Sequence, residues 1–119
     1  MATRMSGWRP LMDKNFWCGD YLNHAGPAVY EFALGGSRGS IKHIVYAGET
    51  KALAKRMKEY ATHGSHLSQE IDWHLRQGWT IYFRYRPASS KLAAKHAQDL
   101  LLGQFDYDWN VMLNSKRAA

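Results

Sequence analysis

This chain contains very little cysteine and no long uninterrupted apolar run. Cys18 is the single cysteine among 119 residues, so neither an internal disulfide nor a cysteine-rich zinc cluster can form. A lone thiol is typical of the reducing cytosol, where disulfides are rare. No apolar run approaches the ~18 residues that a membrane span needs, and the N-terminus lacks the apolar segment of a signal peptide. We therefore expect a cytoplasmic protein with no membrane partner.

The charged residues are mostly lysine and arginine. Sixteen Lys and Arg against ten Asp and Glu give a formal net charge of +6. A basic balance on a small domain favours a polyanionic partner such as nucleic acid, because neutralised phosphates release their counterions. The alternative is an ordinary cationic surface. A hydrophobic fraction of 45% indicates one globular domain rather than a disordered chain.

The apolar pattern predicts the element order ββααβα. Two short strands joined by a glycine-rich loop are typical of a hairpin, and a third strand ends at Pro87. The predicted strands cover 28–34, 41–47 and 80–86, and the predicted helices cover about 51–61, 65–77 and 89–104. For the last helix we expect Leu92, Leu100 and Leu101 on the buried side. This order indicates an α+β fold with a small three-stranded mixed sheet flanked by helices.

The two ends of the chain have a different composition from its centre. Residues 1–26 carry aromatic side chains without a regular period, and the last residues include Lys116 and Arg117. We therefore predict an N-terminal arm over 1–26, a domain over 27–110 and a basic C-terminal tail over 111–119.

Two tyrosines on neighbouring strands are followed by a basic helix. Tyr30 ends Ala28-Val29-Tyr30, Tyr46 begins Tyr46-Ala47-Gly48, and Arg56 follows ten residues later. Tyr60 lies one helical turn after Arg56, so both side chains point the same way. Phenols can hold or deprotonate a water, and a guanidinium can neutralise an attacked phosphate. For either strand tyrosine alone, packing or cross-strand pairing is the favoured explanation; the joint pattern favours a site. Gly48 would let a substrate approach the backbone.

The order and spacing of these residues resemble the GIY-YIG nuclease superfamily, over about 27–110. The resemblance implies DNA as substrate, hydrolysis of its phosphodiester bonds, and one Mg²⁺ or Mn²⁺ per active site. It implies Tyr30 as general base with Tyr46 orienting the water, Arg56 stabilising charge at phosphorus, and Tyr60 bonding the phosphate or water. Relatives of this size include restriction and phage endonucleases, and a double-strand cut would imply a homodimer.

The resemblance fails at one position. The family places a metal-binding glutamate on its last helix and an asparagine twelve residues later, where it braces that helix. Here the asparagine is Asn110 and the glutamate position holds Gln98. A neutral amide is a poor ligand for Mg²⁺, so this chain should cleave DNA very slowly or not at all.

Three explanations of Gln98 are open. It is an introduced change that traps intact substrate, or the mark of a natural, catalytically silent module that binds DNA or RNA. Alternatively, the register is shifted and Asp99 or Glu49 is the ligand. We adopt the first, because the other pattern positions are intact and Asp99 would point about 100° away on the helix.

Several basic residues are suited to phosphate contacts. They are Arg38, Lys42, Lys51, Lys55, Lys91 and Lys95. His63, His66 and His74 lack convincing ligand spacing, so we expect surface or DNA-facing histidines rather than a zinc site. The remaining alternative, from another class, is a small basic interaction protein whose tyrosines belong only to its core.

Overall fold

The chain folds around one antiparallel sheet. A computed structural model describes residues 5–13, 24–36, 40–61 and 66–111. Their elements are β1 (Arg9–Met12), β2 (Ala28–Gly35), β3 (Ile41–Thr50), α1 (Leu53–Ala61), α2 (Ser68–Arg76), β4 (Thr80–Pro87) and α3 (Lys91–Gln104). A further helical turn begins at residue 108. Within these ranges, no helix is both long and apolar enough to cross a membrane.

The sheet corrects the predicted one in two respects. It has four strands in the order β1-β4-β2-β3, whereas three were predicted. All its pairings are antiparallel, so the predicted mixed sheet is wrong. The α+β class and the order of the remaining elements agree with the prediction. Strand β2 occupies the centre because β4 returns beside it after the two helices, and β3 is left as an edge.

The missed strand lies within the predicted N-terminal arm. Strand β1 is only four residues long and contains Pro10, which lowers any strand signal. Proline is tolerated there because β1 is at the edge of the sheet. Leu11 is fully buried, and the Trp8 ring lies 4.4 Å from the guanidinium carbon of Arg84. This part of the arm therefore packs on the domain itself.

The two faces of strand β2 carry different groups. Tyr30 and Phe32 belong to the main hydrophobic core, together with residues of α1 and α2. Because side chains alternate along a strand, Glu31 lies on the opposite face. There its carboxylate accepts hydrogen bonds from Arg84 at 2.7 Å and from the Tyr107 hydroxyl at 2.6 Å. The buried Glu31 charge is thus paired, as a buried carboxylate requires.

Helix α3 begins as predicted but packs differently. Ser90 is its N-cap, and its side chain accepts a hydrogen bond from the Ala93 amide at 3.0 Å. The buried residues are Ala94 and Ala97, whereas Leu92 and Leu100 are 78% and 53% exposed. Their predicted burial is wrong. Small side chains at the contact let the helix approach the sheet closely.

Candidate active site at the edge of the sheet

A cleft collects most of the residues that the sequence singled out. Its volume is about 330 Å³, and β2, β3, α1, α3 and the turn after α3 all contribute to its walls. The lining residues are Tyr30, Tyr46, Glu49, Arg56, His66, Lys95, Gln98, Asp99, Leu102 and Asn110. Five of the six predicted catalytic positions therefore line one cleft, and the sixth, Tyr60, contacts it through Tyr30.

Tyr30 and Tyr60 form a buried pair of phenols. Their hydroxyl oxygens are 2.6 Å apart, and each residue is about 1% exposed. Burial raises the pKa of Tyr30, and the nearby Tyr46 raises it further; the Tyr60 hydrogen bond and the Arg56 charge act in the opposite direction. Burial also raises the pKa of Tyr60, and Tyr30 adds to that shift. Both phenols are therefore neutral near pH 7.

Gly48 is required by this packing. It lies opposite Tyr30 in the β2–β3 pairing, and a Cβ added to it would be 2.5 Å from the Tyr30 Cζ and Oη atoms. Such a contact is far below van der Waals distance. The absence of a side chain at position 48 thus leaves space for the Tyr30 ring. We had expected that space to admit a substrate.

Tyr46 joins a second chain of polar contacts. Its hydroxyl is 3.2 Å from His66 Nε2, and His66 Nδ1 is 3.4 Å from Arg56 Nη2. Since arginine can only donate, Nδ1 of a neutral imidazole accepts and Nε2 donates its hydrogen to the Tyr46 oxygen. The Arg56 guanidinium also lies 4.8 Å from the centre of the Tyr60 ring. Arg56 therefore links both tyrosine groups.

The sequence did not predict His66 as a residue of the site. We had interpreted it as a surface or DNA-facing histidine. It lies just before α2, ten residues after Arg56. No regular spacing connects it with Tyr46, because the two residues are twenty positions apart in sequence and meet only through tertiary packing. The sequence contained no signal that could have distinguished it from the other histidines.

Gln98 and Asn110 converge on the backbone of Ala47. The Asn110 side chain accepts from the Ala47 amide at 2.8 Å and donates to its carbonyl at 2.9 Å. Gln98 Nε2 donates to the same carbonyl at 3.3 Å. Asn110 thus satisfies both backbone groups of an edge-strand residue, next to Tyr46. The Gln98 side chain is therefore also hydrogen-bonded to the backbone of β3.

Glu49 is the acidic residue of the cleft that lacks full pairing. Its Oε1 atom is 3.4 Å from Lys91 Nζ. Its Oε2 atom is buried and has no hydrogen-bond partner among the described residues. Asp99, by contrast, is 57% exposed in its side chain and lies 3.4 Å from Lys95. Glu49 is therefore the carboxylate with capacity for another ligand.

Only some of the basic residues that were predicted to contact phosphate lie at the cleft. Lys95 lines it, and Lys91 reaches its rim through Glu49. Lys42, Lys51 and Lys55 are exposed but do not line it, and Arg38 lies outside the described residues. In the described part of the chain, no three His, Cys, Asp or Glu side chains are grouped as metal ligands.

One of three comparisons with known proteins gives a match. The family model of GIY-YIG domain-containing proteins matches residues 20–119. The chain belongs to the GIY-YIG family. No curated protein and no solved structure gives a significant match. The α+β sheet with its helices is compatible with this fold.

Membership in the GIY-YIG family implies nuclease-type activity, the hydrolysis of phosphodiester bonds. A polyanionic substrate is consistent with the +6 formal charge of the chain.

Proposed function

We propose that this GIY-YIG domain is a DNA endonuclease assisted by a divalent cation, and that Gln98 slows its cleavage. One observation carries the proposal: two phenols, a guanidinium and an imidazole meet in a single cleft beside an edge strand. An attack on a phosphodiester needs a group that takes a proton from water and a cation that neutralises the phosphate. Tyr46 and Arg56 supply these groups.

The contacts favour Tyr46 as the general base, which reverses the two tyrosine roles implied by the resemblance. Burial raises the pKa of Tyr30, so its ionisation is costly. Tyr46 is also buried, but its oxygen accepts a hydrogen bond from His66 at 3.2 Å, and such a donor stabilises a phenolate. We propose that Tyr46, after it has lost its own hydroxyl proton to solvent, takes the proton from the attacking water, while the Tyr30–Tyr60 pair positions that water. Arg56 binds the phosphate and polarises His66.

Of the two carboxylates that line the cleft, Glu49 and Asp99, we propose Glu49 as the ligand of a divalent cation. Mg²⁺ is usually held through one or two carboxylates together with substrate phosphate oxygens and water. The unpartnered Oε2 atom of Glu49 fits such a cation, whereas the neutral Gln98 amide donates to Ala47. A bound cation would supply positive charge to the leaving oxygen. With Glu49 as the remaining carboxylate, we expect weak cation binding and slow cleavage.

The second candidate is a catalytically silent module that binds DNA or RNA. The observation in its favour is Gln98 itself, whose amide is engaged with the strand backbone. The two candidates share the cleft and differ only in turnover.

The test combines DNA binding with cleavage. The unchanged chain and Gln98→Glu are incubated with labelled duplex DNA, first with EDTA to measure affinity and then with Mg²⁺ to measure cleavage. We expect salt-dependent binding by both and faster cleavage by Gln98→Glu. Tyr46→Phe in the Gln98→Glu background should lose cleavage, whereas Tyr30→Phe in the same background should lower the rate and keep the pH profile. Binding without cleavage in every form would favour the silent module.

A further inference from the structure

A second pocket, separate from the cleft, is lined mostly by aromatic rings. Its volume is about 330 Å³, and we call it the aromatic pocket. Its main lining residues are His43, Trp73, His74, Trp79, Asp108 and Trp109. None of them is required for the chemistry described above.

The rings of this pocket contact one another in two groups. Trp73 and His74 are 4.8 Å apart between ring centroids, and His74 and Trp109 are 5.3 Å apart. On the other wall, His43 and Trp79 are 6.0 Å apart. Trp109 is buried, but Trp73 is 56% exposed. An exposed indole supported by further rings offers a face on which a planar ligand can stack.

Polar groups lie among these rings. His74 Nδ1 donates to the Glu70 carbonyl at 2.7 Å, which fixes the ring and assigns Nε2 of the neutral imidazole as an acceptor. Asp108 is exposed, and its carboxylate can accept from an exocyclic amine of a base. A planar ligand with donors on its edge suits this lining better than an aliphatic side chain, which has none.

The aromatic pocket and the cleft are joined through neighbouring residues. Val45 lines the aromatic pocket and Tyr46 lines the cleft; likewise Trp109 lines the first and Asn110 the second. The two pockets therefore adjoin each other at two points of the chain. A nucleotide next to the phosphate in the cleft is the part of a bound strand that lies nearest to the aromatic pocket.

We propose that the aromatic pocket binds an unpaired nucleobase of the strand whose phosphate occupies the cleft. The preferred substrate is then DNA with an unpaired or displaced base near the cleaved bond, since a base stacked inside a duplex cannot present its faces to these rings. This inference rests on the proposed function, because it assumes that the cleft holds a DNA phosphate.

The test compares three labelled duplexes of the same sequence. One is fully paired, one has a single unpaired base, and one has an abasic nucleotide in place of that base. Their affinities for the unchanged chain are measured by fluorescence anisotropy in EDTA, which prevents cleavage. We expect the unpaired base to improve binding about tenfold over the abasic duplex. Equal affinities for these two duplexes would overturn the proposal.

Variants identify the pocket itself. Trp73→Ala should abolish the preference, while Trp73→Phe should retain most of it because a ring remains. Leu92→Ala removes another exposed apolar side chain, in α3, and should leave the preference unchanged. A preference that survives Trp73→Ala would refute the assignment, and far-ultraviolet circular dichroism checks that each variant is folded.

The two proposals fail in different ways. Absence of cleavage by both the unchanged chain and Gln98→Glu, with the base preference intact, would refute the nuclease and leave the aromatic pocket standing. Cleavage by Gln98→Glu with no preference for the unpaired base would support the nuclease and refute the proposed role of the aromatic pocket.

Discussion

The ring of Tyr30 occupies the space in which a side chain at position 48 would lie. A Cβ on Gly48 would be 2.5 Å from Tyr30 Cζ and Oη. Gly48→Ala should therefore displace the Tyr30 ring and disturb its hydrogen bond with Tyr60. We expect a loss of about 1–3 kcal/mol in the free energy of unfolding, measured by urea denaturation.

Gly103 is the matched control for that substitution. It lies in α3, and a Cβ added there would meet nothing within 4 Å. Gly103→Ala should be neutral or stabilise the protein by about 0.5–1 kcal/mol, because alanine is the better helix former. Equal destabilisation by both substitutions would show that the Tyr30 contact is not the cause.

The buried phenols predict a stability that falls at alkaline pH. Burial raises the pKa of Tyr30 and Tyr60 above the ordinary value. At a pH between the pKa of the unfolded chain and that of the folded protein, only the unfolded chain loses these protons. Their contribution is complete below about pH 10 and decreases as the pH rises toward the folded pKa. Tyr30→Phe should make the free energy of unfolding decline less steeply between pH 9 and 11. An unchanged slope would contradict the burial of this phenol.

Asn110 should stabilise the edge of the sheet rather than take part in the reaction. Its side chain satisfies the amide and the carbonyl of Ala47, and Asn110→Ala leaves both without that partner. We expect a loss of about 1–3 kcal/mol in stability and faster hydrogen exchange of the Ala47 amide. The neighbouring Val111, which is half exposed, provides the control: Val111→Ala should leave exchange at Ala47 unchanged.

Glu49 is predicted to dominate cation binding by the unchanged chain. Its Oε2 atom has no partner among the described residues, whereas position 98 is a neutral amide. Glu49→Gln should weaken Mn²⁺ binding at least tenfold, as measured by electron paramagnetic resonance of the free ion, and Gln98→Glu should strengthen it. The same change at the exposed Asp99 should have little effect. Undiminished Mn²⁺ binding by Glu49→Gln would refute this assignment.

Local sequence patterns were sufficient for much of the fold. The strands around Tyr30 and Tyr46 and the strand that ends at Pro87 follow from residues close in sequence. Strand β1 could not be predicted in this way, because a run of four residues that includes a proline has almost no strand pattern. The leucines of α3 were misassigned, because apolar character alone does not tell which face of a helix meets the sheet.

The candidate site was predictable where a sequence pattern defines it. Tyr30, Tyr46, Arg56 and Gln98 line one cleft as expected, since strand pairing and helical spacing bring such residues together. The unpaired state of Glu49 and the contact of His66 with Tyr46 depend on long-range packing, which no local spacing encodes. The contact between Gly48 and the Tyr30 ring also depends on packing between two strands and could not be predicted from local spacing.

The central claim is that this cleft hydrolyses phosphodiester bonds, and the most direct measurement is the relaxation of supercoiled plasmid in Mg²⁺ by Gln98→Glu. We predict nicking or linearisation by this variant at a rate well above that of the unchanged chain, and its loss when Arg56→Ala is added. Retained plasmid binding with no cleavage by Gln98→Glu would contradict the account and assign the domain to DNA binding alone.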